Sequence, residues 1–220
     1  MNDPRPTIYL AILNQGEIRI ELVYLLIRWM QDDRYKIYLD LPCDKPIAHN
    51  RAGIVHRFLK SGNDYLMMLD GDIIPPAETI SMADYDKDVI GGTCFAYKNS
   101  SIVPLVLERN KGEGKEYKVV TGDKIFGVKE VDAIGTGCIM IARRVLEDVK
   151  APFINIYNED GFRERGLDLS FCRKAKRLGY KVWAHFDYLC SHWTTVDLKT
   201  IYGGDAEYGN IKVKNMGKMN

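Results

Sequence analysis

The stretch LMMLDGDIIPP, Leu66 to Pro76, decides the fold. Leu66 to Leu69, with Tyr65 before them, are apolar on successive residues. A strand with one wet face would alternate, so this run reads as a strand covered on both faces. Asp70 and Asp72 follow at its end, separated by Gly71, before Pro75-Pro76. Two carboxylates this close repel and share a proton unless a cation lies between them. Hard oxygen ligands suit Mg²⁺ or Mn²⁺, ions usually completed by water and substrate phosphates. Gly71 lets the backbone turn and a ligand approach closely.

Working toward the N-terminus, TIYLAIL (Thr7 to Leu13) is another buried strand, broken by Asn14-Gln15-Gly16. Asn14 with Glu17 predicts a capping box opening a helix over Glu17 to Met30. YKIYLDL (Tyr35 to Leu41) is a second strand, Pro42 to Asn50 a loop, and Arg51 to Lys60 a helix stopped at Gly62-Asn63. The order β-α-β-α-β argues for a parallel, helix-covered sheet. Open α/β sheets bind ligands at the carboxyl ends of their strands, where the aspartates fall.

Beyond the Pro pair come a helix around Ala77 to Tyr85, a strand over Asp88 to Tyr97, and a Gly- and Lys-rich excursion over Val103 to Val131. Val131 to Ala142 is strand-like with two glycines, Arg143 to Val149 a short helix, and Leu167 to Leu178 an amphipathic helix stopped by Gly179. Lys181 to Leu189 is a final strand. From Tyr202 the tail is Gly-rich and polar, with little to anchor it.

Composition narrows the class. The chain has 220 residues, 46% of them hydrophobic, enough for one sizeable core and a single domain. The 31 basic and 30 acidic residues leave a net charge of +1, so nucleic acid is not an expected partner. The 5 cysteines are odd in number with no C-x-x-C, which signals neither a zinc site nor a disulfide framework and fits a reducing compartment. Ile18 to Met30, the most apolar stretch, contains Glu21 and Arg28 and is too short to span a bilayer. The N-terminus lacks the pattern of a signal peptide. A soluble, cytoplasmic protein is the expectation.

Two chemistries place D-x-D after a hydrophobic strand. One is an aspartyl phosphatase, with Asp70 as nucleophile and Asp72 as general acid. That arrangement normally opens the chain and needs a later paired acidic motif, which this sequence does not supply. In the other, the pair holds a metal on a diphosphate. Five ordered stretches resemble the latter, in the form of a GT-A glycosyltransferase (family 2-like). They are the strand–NQG–helix start, Ala48 to Pro76, Asp88 to Gly92, Val131 to Val149, and Gly166 to Trp183. The resemblance covers roughly residues 7 to 195. It implies a Rossmann-like, mixed but mostly parallel sheet flanked by helices over residues 1–200, with 201–220 as a tail or lid.

Carried over by residue, the resemblance implies that Asp72, Asp70 and His192 hold Mn²⁺ or Mg²⁺, with Asp70 also touching the donor. His192 has packing beside Trp193 as its alternative; His49, His56 and His185 have weaker cases. Asn14, Asp40 and Arg51 would meet the nucleotide, although Arg51 reads equally as an exposed helix residue. Gly135 and Gly137 would let the backbone approach the donor sugar or acceptor. Asp168 would be the catalytic base, or simply a helix cap. Leu167 stands where the family has glutamate, so the stereochemical course stays open between inversion and retention. The implied reaction moves a sugar from a UDP- or GDP-sugar to a hydroxyl-bearing acceptor. A binding module without transfer is the rival reading. A nucleotidyltransferase is disfavoured, because no Gly-rich loop with Arg and Lys follows the first strand.

Overall fold

The continuous apolar runs become the centre of one sheet. A computed structural model describes residues 4–98, 101–110, 112, 116–121 and 126–195. The main sheet comprises β1 (Thr7–Leu13), β2 (Lys36–Asp40), β3 (Tyr65–Asp70), β4 (Val89–Thr93), β5 (Val128–Val131), β6 (Cys138–Ala142) and β7 (Val182–Leu189). Their spatial order is β5-β7-β4-β6-β3-β1-β2. β1, β2, β3, β4 and β7 run one way; β5 and β6 run against them. The sheet is therefore mixed but mostly parallel, as expected. The predicted tail, 201–220, lies outside the described residues.

Helices cover both faces. α1 (Ile20–Met30) and a 3₁₀ helix (Ala77–Tyr85) pack on Ile8, Leu10, Ile12, Met67, Leu69 and Met140. α2 (Ile47–Ser61), α3 (Arg143–Asp148) and α4 (Leu167–Arg177) pack on Ala11, Leu13, Leu66, Met68, Ile139 and Ile141. Successive residues of β1 and β3 thus feed opposite cores, which is why neither strand alternates in sequence. Trp29 pins α1 down: it is 1% exposed and its indole N–H donates to Ala77 O at 2.6 Å. Burying a side chain of this kind contributes about 1.5–3 kcal/mol. The outer side of α1 still carries Ile20, Tyr24 and Ile27, all exposed. No helix among the described residues is long and apolar enough to cross a membrane.

Several boundaries differ from the sequence reading. α1 starts at Ile20, not Glu17, because the Asn14 carboxamide does not cap it. The Asn14 Oδ1 accepts from Gly16 N–H at 2.9 Å, and Nδ2 donates to Pro42 O at 3.2 Å, tying the β1 loop to the end of β2. α2 begins earlier, at Ile47, with Pro46 supplying an extended N-terminal boundary. It ends at Gly62, whose φ of +78° is the left-handed conformation that closes helices. The predicted strand Asp88 to Tyr97 breaks at Cys94, and Phe95–Lys98 leaves to pair with Ser101–Pro104. Val131 to Ala142 also divides. Ala133–Ile134 joins Val106–Arg109 and Tyr117–Val119 in a small sheet, and Gly135 to Gly137 leads back into β6. α4 begins at Leu167, as expected, with Gly166 as its N-terminal boundary, so Asp168 lies inside its first turn and is not the helix cap.

Candidate functional site

Five elements converge at the carboxyl ends of β1 and β3. Asp70 closes β3, and its N–H donates to Gly137 O at 2.9 Å, just before β6. Gly71 N–H donates to Leu13 O at 2.7 Å, at the end of β1. A Cβ on Gly71 would lie 3.1 Å from that oxygen, so glycine here serves the strand–strand contact. A Cβ on Gly137 would lie 3.2 Å from Asp70 Oδ2, so its absence clears room for the carboxylate.

Arg51, in the first turns of α2, is the centre of this cluster. It is 4% exposed, not a surface helix residue. Its Nη1 donates to Asp168 Oδ1 at 2.9 Å and its Nη2 to Asp70 Oδ1 at 3.3 Å. Its buried Nε has no hydrogen-bond partner among the described residues. The Arg51 guanidinium thus joins two acids that are distant in sequence. Thr136, fully buried, donates from Oγ1 to Asp168 Oδ1 at 2.5 Å. Burial pushes the Asp70 carboxyl above the usual carboxylate range. Arg51 opposes the rise, and the charges of Asp168 and Asp72 add to it.

Asp72 faces another way. Its side chain is exposed, and its Oδ2 lies 3.4 Å from His192 Nε2. His192 Nδ1 lies 2.6 Å from Phe95 O, an acceptor only, so Nδ1 carries a proton. In the neutral ring Nε2 then presents a lone pair toward a carboxylate. Only a proton or a cation between them makes that contact favourable. The position is held by main chain: Ser191–His192 pairs with Ile73–Ile74, and Trp193 N–H donates to Asp72 O at 2.9 Å. Among the described residues, no group of three His, Cys, Asp or Glu is arranged to hold a metal ion. Of the expected triad, Asp72 and His192 stand together, while Asp70 is turned to Arg51.

An open cleft of about 1370 Å³ lies in front of Asp70 and Asp72; Asp168, joined to Asp70 through Arg51, is not among its lining residues. Asn14, Asp70 and Asp72 line it together with Glu17, Glu21 and Asp44; Arg19 and Lys45 are its basic residues, Arg19 paired with Glu21 at 3.4 Å, and Trp193 gives an aromatic face. Arg19 lies over the Trp193 ring, its guanidinium carbon 4.0 Å from the centroid.

Other expected residues lie elsewhere. Asp40 Oδ2 is taken by Tyr9 Oη at 2.7 Å and Arg57 Nε at 2.9 Å, and Asp40 does not line the cleft. Gly135 is buried against Leu105: its N–H donates to Leu105 O at 2.7 Å, and an added Cβ would lie 2.9 Å from the leucine Cβ. Its glycine therefore serves packing rather than a ligand. His56 is exposed on α2, and His185 is buried, stacked 3.6 Å from the Tyr188 ring. Of the exposed or half-buried tryptophans only Trp193 lines the cleft; Trp183 lies against Lys87 instead. Sequence reasoning singled out neither Arg19, Lys45 nor Thr136 as a site residue. Thr136 alone left a trace, as the polar residue between the two glycines.

A mixed seven-stranded sheet, helices on both faces and a cleft at the strand ends define a GT-A-like, Rossmann-like α/β fold. Solved structures share it. A197 from STIV is 22% identical over 86% of each chain, with a TM-score of 0.54. GalNAc-T7, crystallised with UDP, GalNAc and Mn²⁺, is 10% identical, with a TM-score of 0.50. That match covers 88% of this chain but only 44% of GalNAc-T7. The sequence matches no protein-family model and no curated protein.

Proposed function

We propose that this protein is a metal-dependent glycosyltransferase that moves a sugar from a nucleoside-diphosphate sugar to a hydroxyl acceptor. The observation that carries the reading is Asp72 Oδ2 set 3.4 Å from His192 Nε2 beside a cleft lined by Asp72, Arg19, Lys45 and Trp193. GalNAc-T7, of the same fold, was crystallised with UDP, GalNAc and Mn²⁺, which supports it.

Asp72 and His192 would hold Mn²⁺ or Mg²⁺, and the imidazole nitrogen favours Mn²⁺ of the two. When bound, the ion supplies positive charge to a diphosphate leaving group. Lys45, and Arg19 beside its partner Glu21, would add positive charge along an otherwise acidic cleft, Trp193 would offer a stacking face, and Asn14 fixes the loop on which a nucleoside would rest. Asp168 takes the proton of the acceptor hydroxyl as its oxygen attacks the anomeric carbon and the sugar–diphosphate bond breaks. Arg51 holds Asp168 and Asp70 at a fixed spacing.

The test is thermal denaturation with UDP or GDP, with and without Mn²⁺, followed by donor turnover. A ligand at about 100 times its dissociation constant stabilises the native state by about 2.7 kcal/mol. Wild type should show a Mn²⁺-dependent rise in melting temperature and Asp72→Ala should not. If neither nucleotide shifts wild type with Mn²⁺ present, the reading fails.

A second reading, donor binding without transfer, has one observation behind it. Asp168 Oδ1 accepts from both Arg51 and Thr136, so that oxygen is engaged by the protein's own donors rather than presented to an acceptor hydroxyl. Donor turnover that is absent in wild type although nucleotide binds would favour it. The aspartyl phosphatase reading draws less support, because Asp70 is turned to Arg51 rather than presented as a nucleophile.

A further inference from the structure

β2 ends the main sheet and among the described residues pairs only with β1. Lys36 N–H donates to Pro6 O at 3.0 Å, so Lys36, Tyr38 and Asp40 direct their main-chain groups toward β1. By alternation, Ile37 and Leu39 direct theirs outward, away from the sheet. A strand edge with outward donors and acceptors is a template for another strand unless proline, a bulge or a covering element blunts it. Lys36–Asp40 contains no proline, its register with β1 is unbroken, and Tyr38 and Leu39 are exposed.

The sequence of this edge, KIYLD, reads as its own complement when reversed. We propose that β2 pairs antiparallel with β2 of a second copy of this chain, about a two-fold axis through Tyr38. In that register Ile37 lies opposite Leu39 of the partner subunit, and these outward residues form the narrow, doubly hydrogen-bonded pairs. Tyr38 lies opposite Tyr38 of the partner subunit. Lys36 lies opposite Asp40 of the partner subunit at both ends, so opposite charges flank an apolar centre. Arg57 and Tyr9 both engage Oδ2 of Asp40 and hold the carboxylate in place at the strand end.

The register is selective. A slip of one residue sets outward groups against inward ones and loses the hydrogen bonds. A slip of two, the smallest that keeps them, sets Lys36 opposite Pro42 or Tyr38 and loses both ion pairs. The two seven-stranded sheets become one, and the strand direction reverses across the axis. The two clefts then open at opposite ends of the joined sheet, neither obstructing the other.

Light scattering and sedimentation over a range of concentrations test this. Wild type should show twice the 25.1 kDa chain mass at high concentration. Leu39→Pro removes an outward N–H and no bond to β1, so it should be monomeric with an unchanged circular dichroism spectrum. Lys36→Glu sets like charges together and should weaken the dimer about tenfold or more, with the loss shrinking at high salt. Asp40→Lys alone should do the same, while a mixture of the two variants restores opposite charges at both ends and should form a heterodimer. A wild type that stays monomeric at every concentration overturns the proposal. So does a dimer that survives both Leu39→Pro and Lys36→Glu unweakened, since its interface then lies elsewhere.

Discussion

Replacing Arg51 by methionine tests the central electrostatic claim. The methionine keeps most of the apolar stem and removes the guanidinium that joins Asp70 to Asp168. Removing one partner of a fully buried ion pair costs about 3–5 kcal/mol. Here Arg51 is 4% exposed, but its partners keep 27% and 43% of their side-chain surface, so water screens part of the loss. The expected cost at pH 8 is about 2–4 kcal/mol, a drop in melting temperature of about 5–15 °C for a domain of this size. The pH dependence has a definite sign. The folded Asp70 carboxyl already lies above its unfolded value, so the native state binds that proton more tightly than the unfolded chain. That contribution to stability falls as pH rises from about 3.9 through the raised folded value. Without Arg51 the folded value climbs further, because both influences that lower it come from that side chain. The variant should therefore recover stability on acidification from pH 8 to pH 5, relative to wild type. Arg51→Met combined with Asp70→Asn should recover much of the loss at pH 8. Urea denaturation at the two pH values measures both effects. A cost below about 1 kcal/mol, or one equal at the two values, would refute the account of a buried cation holding two acids.

Further expectations follow from close contacts. Gly135→Ala should destabilise by about 1–3 kcal/mol, because the new methyl lies 2.9 Å from the Leu105 Cβ; calorimetry reads it. Thr136→Val should cost about 1–2 kcal/mol by deleting a buried donor to Asp168, and an unchanged melting temperature would argue against that bond. Of the thiols, Cys43 is exposed and Cys94, Cys138, Cys172 and Cys190 are buried, with burial pushing Cys172 up to about 12. A thiol reagent should therefore label Cys43 rapidly in the native protein and the others only on unfolding.

Much of the sheet was legible because its signal is local. β1 and β3 are uninterrupted apolar runs, and the acids at the end of β3 mark the functional edge without further context. What escaped reading depends on distant partners. Asn14 and Glu17 satisfy the pattern of a capping box, yet the Asn14 carboxamide goes to Pro42. Arg51 sits in a helical segment with many polar neighbours, and nothing local shows that Asp70 and Asp168 bury it. Asp40 has the right residue type at a strand end, but Arg57 and Tyr9 claim it. Gly135 and Gly137 look equivalent in sequence; one faces Leu105 and the other Asp70, a distinction made only by the turn between them.

The placement of Trp193 gives the cleft an optical readout of its own. Its indole is 46% exposed beneath Arg19, whereas Trp29 is sealed in the core and Trp183 lies on another surface. An occupant that displaces the guanidinium or stacks on the ring alters the emission of this one fluorophore and leaves the other two as constant background. Occupancy can then be followed by intrinsic fluorescence, with a Trp193→Phe variant as the dark reference.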